Sequence, residues 1–164
     1  MIYPPREMLE DMSTMNEPPT GPRPATILIV DDDDDMLALC AVKLEAHGFS
    51  VLKAIGSAEA HRICADHPAK IDLILIDVML YPPAVQLDTL RNVSPRVHGD
   101  KLLPILHAKR PLTPIMLMSA SSPWKLGGRG MAAVLRQYPF LQKPFTGDLL
   151  IEKVRAALAS RERR

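Results

Sequence analysis

The sequence predicts an α/β protein built on a doubly wound, five-stranded parallel sheet with helices on both faces. Short apolar segments alternate along the chain with segments whose apolar residues recur at helical spacing. The apolar segments are continuous rather than alternating with polar residues, which is typical of strands buried on both faces. Strands that alternate with helices are joined by right-handed crossovers, so we expect all five strands to run parallel.

Each predicted strand is a short apolar run that stops at polar or turn-forming residues. The first run lies between Pro24 and a cluster of aspartates, and the third run is almost entirely apolar. The five predicted strands cover residues 27–30, 49–54, 71–76, 115–118 and 140–142.

The first two helices are each predicted from a capping residue, an apolar period and a terminator. Asp34 or Asp35 can cap the first helix, and Gly48 ends it. Ser57 can cap the second helix, which stops before Pro68 because a proline disfavours helical geometry in the residue that precedes it.

Proline, glycine and capping residues mark the other three helices. A third helix capped by Asp100 should start late, because Pro104 is tolerated only near a first turn. Residues 131–137 favour a short fourth helix after a glycine-rich stretch. Thr146 or Asp148 can cap the fifth helix.

Composition excludes several classes of protein. The 164 residues carry 20 Lys and Arg against 19 Asp and Glu, and this balance argues against a general nucleic-acid or membrane-surface binder. We expect neither a bilayer-spanning segment nor a secretory signal, because the required apolar runs are missing. Cys40 and Cys64 lie singly in apolar-periodic segments, so we expect two buried thiols and a reducing, cytoplasmic location.

The distribution of proline divides the chain into a tail and one domain. Six of the 16 prolines precede Ala25, so residues 1–24 are predicted to form a disordered or weakly ordered tail. The domain is predicted to cover residues 25–160, with an irregular segment at about 81–98 and a frayed C-terminus at 161–164.

Polar and charged side chains follow four of the five predicted strands. They are Asp31 and Asp32, Asp77, Ser119 and Lys143. Ligands bind at the carboxyl ends of the strands in such a sheet, so we expect these side chains to share one site. Carboxylates this close repel one another without a cation, and oxygen donors suit Mg²⁺ or Mn²⁺. Such a site prepares an aspartate to attack phosphorus, with Lys143 and Ser119 stabilising the transferred phosphoryl group.

Four segments, in order, resemble the motifs of a response-regulator receiver domain. They read ILIVDDD at 27–33, DLILIDVM at 72–79, MLMSA at 116–120 and LQKPF at 141–145. The resemblance covers roughly residues 25–160, and it implies a flavodoxin-like fold with strand order 2-1-3-4-5. It also implies a signalling receiver of a two-component or phosphorelay pathway rather than an enzyme. Few residues follow Ser160, so the chain resembles a single-domain receiver, and a piece of a longer protein fits equally well.

The resemblance implies a role for each residue of the metal and acceptor set. Asp77 matches the phosphoacceptor. Asp31 and Asp32 match the acidic pair at the metal, with Asp32 as the more direct ligand. Met79 matches the position whose backbone carbonyl contacts the metal, so its side chain need not be polar. The implied cofactor is Mg²⁺ or Mn²⁺.

The family pattern also implies residues that sense the phosphoryl group. Ser119 matches the switch hydroxyl, Lys143 matches the phosphate-contacting lysine, and Phe140 falls at the position of the switch aromatic. The peptide bond before Pro144 is expected to be cis. On phosphorylation, Ser119 is expected to move toward the phosphate while Phe140 rotates inward.

The resemblance implies partners as well. The phosphoryl donor is a histidine kinase or a histidine phosphotransfer protein, and the reader is a downstream protein target. Phosphorylation biases a two-state equilibrium, and the signal leaves through the face made by the predicted fourth helix, fifth strand and fifth helix. Neither direct nucleic-acid binding nor membrane insertion is expected, and a homodimer is compatible with the resemblance.

Two segments depart from the family pattern. The family has a short turn and then a glycine after the acceptor segment, whereas Gly99 here follows a long stretch. Residues 81–98 are therefore predicted to be an insertion on the active-site face, either a tolerated surface loop or an element that tunes access. The glycines within residues 124–130 predict a poorly formed fourth helix.

Two other functions fit parts of the pattern. A haloacid-dehalogenase-type Mg²⁺-dependent phosphatase also uses an aspartate, a hydroxyl residue and a lysine, but its aspartate nucleophile follows the first strand. Asp35 stands where the first motif of that family needs Thr or Val. The second alternative is a receiver-like adaptor that is never phosphorylated, because the insertion could occlude the site.

Overall fold

Seven strands and four helices lie within residues 23–80, 97–121 and 137–161, which are the residues that the computed structural model describes. The strands, in chain order, are β1 (Thr26–Asp31), β2 (Ser50–Ile55), β3 (Leu73–Asp77), β4 (Met79–Leu80), β5 (Val97–His98), β6 (Ile115–Ser119) and β7 (Phe140–Gln142). The helices are α1 (Asp34–Glu45), α2 (Gly56–Asp66), α3 (Gly99–Lys109) and α4 (Gly147–Arg161).

Five of the strands form one parallel sheet in the order β2-β1-β3-β6-β7. When only the strands of this sheet are counted, the order is 2-1-3-4-5, and the predicted doubly wound fold is confirmed. The observed strands are shifted by one or two residues from the predicted ones at several ends. Asp31, Asp77 and Ser119 are the last residues of their strands rather than the first residues beyond them.

The sheet is buried on both faces, as the continuous apolar strands predict. Successive side chains of a strand point to opposite faces, and each face of this sheet has its own apolar cluster. Leu28 and Ile74 belong to one cluster, while Ile29 and Leu75 belong to the other. All four of these side chains are fully buried. The two layers of helix that the fold class requires therefore cover both faces.

The N-cap of helix α1 lies earlier in the aspartate run than the sequence predicts. Asp33 is the N-cap, and its side chain accepts hydrogen bonds from the backbone N–H groups of Asp35 and Met36. The prediction of Asp34 or Asp35 as the cap is wrong, because both lie inside the first helical turn. Their negative charges there interact favourably with the positive end of the helix dipole.

Ser57 does not cap α2 either. The helix begins at Gly56 after the N-cap residue Ile55, which makes no side-chain cap bond. The backbone N–H of Ile55 is instead bound by the carboxylate of Glu59 at 2.9 Å. In α4, Thr146 is the predicted cap that the structure supports, because its Oγ1 accepts a hydrogen bond from the N–H of Leu149 at 3.2 Å.

Pro104 lies well inside α3, so the prediction of a late start for this helix is wrong. The helix begins at Gly99, five residues before the proline. A proline inside a helix removes one N–H donor and crowds the carbonyl four residues earlier, but this cost does not prevent a helix that is held by tertiary packing. Leu102, Leu103 and Leu106 supply that packing, because all three are buried in one core cluster.

The last two residues of the predicted insertion pair with the two residues that directly precede it. β4 and β5 form a two-stranded antiparallel ribbon in which Met79 faces His98 and Leu80 faces Val97. The rest of the insertion lies outside the described residues. So do the predicted tail up to residue 22, almost all of the predicted fourth helix, and residues 162–164 of the predicted frayed end.

Candidate functional site

The carboxyl ends of the parallel strands bring the predicted site residues to one edge of the sheet. Asp31 ends β1, Asp77 ends β3, and Ser119 ends β6. Lys143 follows the last residue of β7 directly. In a doubly wound sheet this edge is where ligands bind, so strand register places a hydroxyl, an ammonium and two carboxylates at the expected position.

One ammonium group joins two carboxylates at the centre of this edge. Nζ of Lys143 donates to Oδ2 of Asp31 and to Oδ2 of Asp77, at 2.6 Å in both cases. The three side chains are only 10%, 1% and 9% exposed, respectively. Such short, charge-assisted bonds in a shielded setting keep three charged groups together where each alone would be costly to bury.

Burial and pairing act on the pKa values of these groups in opposite senses. Burial raises the pKa of Asp31 above its ordinary value, and the bond from Lys143 offsets only part of that effect. Burial by itself would lower the pKa of Lys143, but its bonds to Asp31 and Asp77 outweigh burial and raise it. Lys143 therefore stays protonated and is the fixed positive charge of the site.

Backbone N–H groups orient the second oxygen of each bridged carboxylate. The N–H of Asp33 donates to Oδ1 of Asp31 at 3.1 Å, and the N–H of Met79 donates to Oδ1 of Asp77 at 2.8 Å. Both donors lie two residues beyond the aspartate that they bind, which is the geometry of an Asx turn. Each carboxylate is thus held at both of its oxygens.

Asp32 completes a group of three acidic side chains. Asp31, Asp32 and Asp77 each offer one carboxylate oxygen, and these oxygens all lie within 4.8 Å of one another. Hard divalent cations prefer oxygen donors of this kind and number, completed by water or phosphate. The donor set therefore fits a divalent metal such as Mg²⁺ or Mn²⁺.

These groups face an open pocket of about 600 Å³. Some residues of its wall were not singled out by the sequence patterns. Among these, only Met36 in the first turn of α1 has a sequence signal, which is its helical spacing with the apolar residues that follow. The lining residues are Asp31, Asp32, Asp33, Met36, Asp77, Met79, Leu80, Ala120, Ser121 and Lys143. Asp32 and Asp77 are accordingly reachable from solvent through a partly apolar mouth, whereas the side chain of Asp31 is only 1% exposed.

Neither Ser119 nor Phe140 is among the residues that line the pocket. Ser119 is fully buried, and its Oγ accepts a hydrogen bond from the N–H of Ser121 at 3.1 Å. Phe140 is half-buried and packs against the core cluster on one face of the sheet. The peptide bond between Lys143 and Pro144 is cis, as the family resemblance implies.

Comparison with known proteins identifies the family. The family model described as response regulator receiver domain matches residues 27–155. Relatives include the phosphate regulon transcriptional regulatory protein PhoB of Pseudomonas aeruginosa, 31% identical over 81% of this chain and 51% of that protein. Another is the transcriptional regulatory protein PrrA of Mycobacterium tuberculosis, 30% identical over 87% of this chain and 53% of that protein.

Solved structures show the same fold. A CheY-like response regulator receiver domain protein from Methanospirillum hungatei superposes with a TM-score of 0.66 at 23% identity, covering 85% of this chain and 98% of that one. The receiver domain of the hybrid histidine kinase CckA superposes with a TM-score of 0.60 at 27% identity, covering 82% and 99%. The chain belongs to the response regulator receiver domain family.

Membership of this family defines the chain as a signalling module of two-component systems. The chain spans about half the length of PhoB and PrrA, and a smaller share of several other curated relatives. Among the helices of residues 23–80, 97–121 and 137–161, none combines the length and apolar character needed to cross a membrane.

Proposed function

We propose that this chain accepts a phosphoryl group on Asp77 from a histidine kinase or a histidine phosphotransfer protein. The observation that carries the proposal is the pair of hydrogen bonds made by Lys143. Its ammonium donates to Asp31 and to Asp77, at 2.6 Å in both cases. A fixed cation beside a pocket-lining carboxylate is what transfer of a phosphoryl group to that carboxylate requires.

The acidic group supports a resident divalent metal. Asp31, Asp32 and Asp77 would hold it through carboxylate oxygens, and Met79 would add its backbone carbonyl. When bound, Mg²⁺ or Mn²⁺ would neutralise negative charge on the phosphoryl oxygens and on the carboxylates. The family of the chain supports the same assignment.

The chain's own residues then have distinct roles. A carboxylate oxygen of Asp77 attacks phosphorus, the bond from phosphorus to the donor's histidine nitrogen breaks, and that nitrogen keeps the electron pair. The Lys143 ammonium stabilises charge on the transferred group, as a preorganised cation in a partly dry site does. Ser119 donates its hydroxyl hydrogen to a phosphoryl oxygen after release from its present contact with Ser121.

Movement of Ser119 links the site to the rest of the molecule. Phe140 packs at the edge of the core and turns inward as Ser119 moves. The face that includes β7 and α4, with the predicted helix at 131–137, changes shape and is read by a downstream protein target. Phosphorylation thereby biases a two-state equilibrium, which is a population shift rather than a mechanical push. A homodimer through this face is compatible with the proposal, and the cytoplasmic location stays a prediction from the sequence.

Acetyl phosphate and Mg²⁺ provide a direct test. We expect incubation to add one phosphoryl group per chain to the wild type, detected by intact-protein mass spectrometry, and none to Asp77→Asn. The matched control is Asp66→Asn, an exposed aspartate at the end of α2, which should be modified like the wild type. Modification of Asp77→Asn at the wild-type rate would refute the acceptor assignment.

The same assay separates the alternatives. Repeated turnover of an external phosphoester would indicate the haloacid-dehalogenase-type phosphatase, which the family match leaves without support. Absence of modification with acetyl phosphate and with candidate kinases would indicate the unphosphorylated adaptor. Transfer from a phosphorylated histidine kinase that is lost in Asp77→Asn would identify the donor class.

A further inference from the structure

A short ribbon follows the proposed phosphoacceptor after a single residue. It consists of β4 (Met79–Leu80) paired in antiparallel fashion with β5 (Val97–His98), and we call it the acceptor ribbon. Its two strands are separated in sequence by residues 81–96, so the pairing closes the base of the predicted insertion. The acceptor ribbon is therefore a feature of this chain at the point where the family has a short turn.

The acceptor ribbon carries the hydrogen-bond donor that fixes one oxygen of Asp77. The N–H of Met79 donates to Oδ1 at 2.8 Å, while Nζ of Lys143 donates to Oδ2 at 2.6 Å. With donors on both oxygens, rotation of the carboxylate about its last side-chain bond would break one of the two bonds. The Met79 amide and the Lys143 ammonium thus together fix which way the nucleophilic oxygens point.

The core holds the acceptor ribbon in place. Leu80 is fully buried and belongs to the same apolar cluster as Leu102, Leu103 and Leu106 of α3. The second strand of the ribbon runs without a break into α3 at Gly99. One strand is therefore anchored by its side chain in the core, and the other by continuity with a packed helix.

We propose that the acceptor ribbon is a positioning element for Asp77, acting through the Met79 amide, and this inference rests on the proposed function. Loss of the anchor at Leu80 would free the amide from Oδ1 and let the carboxylate rotate out of its attacking orientation. Small misplacement of a reacting group lowers rates by about tenfold to a hundredfold. Met79 and Leu80 also line the pocket, so the ribbon supports the site from within its wall.

Two leucine-to-alanine variants give a matched test. Leu80→Ala and Leu106→Ala remove the same groups from fully buried positions of the same cluster, so both should lose stability to a similar degree. Only Leu80→Ala should slow modification by acetyl phosphate, about tenfold or more at a temperature where both variants are folded. Equal rates for the two variants would overturn the inference.

A third variant separates the ribbon from the residues that it encloses. Replacing residues 81–96 with Asn-Gly joins Leu80 to Val97 through a two-residue turn that suits an antiparallel pair. We expect this variant to be modified within about twofold of the wild-type rate, because the Met79 amide stays in place. A loss comparable to that of Leu80→Ala would show that the ribbon does not suffice to position Asp77.

Amide hydrogen exchange at Met79 provides a readout that does not depend on phosphorylation. Exchange at this N–H should accelerate in Leu80→Ala and stay slow in Leu106→Ala and in the Asn-Gly variant. If the wild type takes no phosphoryl group, the proposed function fails, and the exchange pattern still decides whether the ribbon holds the Asp77 carboxylate. Equal acceleration in both leucine variants would refute the anchoring role of Leu80.

Discussion

The backbone N–H of Lys143 donates a hydrogen bond to the carbonyl oxygen of Ser119 at 2.8 Å. This bond extends the pairing of β6 and β7 one residue past the last register pair, Ser119 with Gln142. Lys143 consequently starts at the edge strand and must reach past β6 to Asp77 on β3 and to Asp31 on β1. Neighbouring strands lie about 4.8 Å apart, so only a long cationic side chain can make this connection.

Replacing this lysine tests the electrostatic account of the site. Lys143→Met should destabilise the fold by about 3 kcal/mol at neutral pH, because two buried carboxylates lose the cation between them. The measurement is urea unfolding followed by circular dichroism. The control is Lys53→Met, at an exposed position of β2, for which we expect a change within about 0.5 kcal/mol.

The loss in Lys143→Met should shrink as the pH falls. Burial already raises the pKa of Asp31 with the lysine present, and without Lys143 the folded carboxyl binds a proton still more tightly than the unfolded one. Folding then gains stability as pH falls through the folded pKa, since the folded state takes up the proton first. Repeating the urea titration at mildly acidic pH checks the sign, and a loss that grows on acidification would contradict it.

Asp72 directly precedes β3, at the end of the strand opposite to Asp77. Its effect on stability has the reverse pH dependence to that of Asp31 in Lys143→Met. Burial raises its pKa, but bonds from Arg23, from the N–H of Thr26 and from Lys70 outweigh burial and lower it from 3.8 to about 2. Its stabilisation is present above the unfolded pKa and is lost as pH falls through the folded value. Asp72→Asn should lower the free energy of unfolding by about 2–3 kcal/mol at neutral pH. On acidification the variant should lose less stability than the wild type, because it lacks the carboxylate that becomes protonated.

Acid titration of unfolding free energies, with Glu152→Gln as the control, measures this effect. Glu152 is exposed on α4, so its replacement should change stability by less than about 0.5 kcal/mol. If Asp72→Asn and the wild type lose stability in parallel between mildly and strongly acidic pH, the carboxylate of Asp72 does not contribute as proposed.

The sheet, and the edge of it that carries the candidate site, could be predicted from the sequence. The continuous apolar run of a strand is a local pattern that indicates burial on both faces. Leu28 and Ile29 are neighbours on β1 and are both fully buried, which a continuous apolar run records directly. Strand ends follow from the same pattern to within one or two residues. The edge location of Asp77 and Lys143 then depends only on the parallel topology.

Caps and cross-chain contacts could not be predicted, because the signals for them are degenerate or non-local. Asp33 and Asp34 have identical side chains, and only the backbone conformation decides which one caps α1. Ser57 suits a cap by residue type, but the chain turns at Gly56 with φ of +82°, so Ser57 is already inside α2. The pairing of β4 with β5 spans a long stretch of sequence and has no short-range hairpin signal.

Metal binding gives a prediction about stability that requires no phosphoryl donor. Mg²⁺ at roughly 100 times its Kd should raise the free energy of unfolding by about 2–3 kcal/mol, because the ion binds the folded chain alone. Asp32→Asn removes one of the three grouped carboxylates and should abolish most of this gain. Thermal melts with Mg²⁺ and with a chelator measure it. Asp34→Asn, an exposed residue outside the pocket lining, should keep the Mg²⁺ response.

Arg110 offers a test of how the end of α2 is tied to the rest of the domain. Its guanidinium donates to the backbone carbonyls of Cys64, Ala69 and His67. A lysine cannot reproduce this planar fork, so Arg110→Lys should leave the part-buried carbonyls of Cys64 and His67 without their donor and cost about 1–3 kcal/mol. Urea unfolding measures the loss, with Arg155→Lys at an exposed position of α4 as the control. Equal stability of the two variants would show that water replaces the guanidinium without penalty.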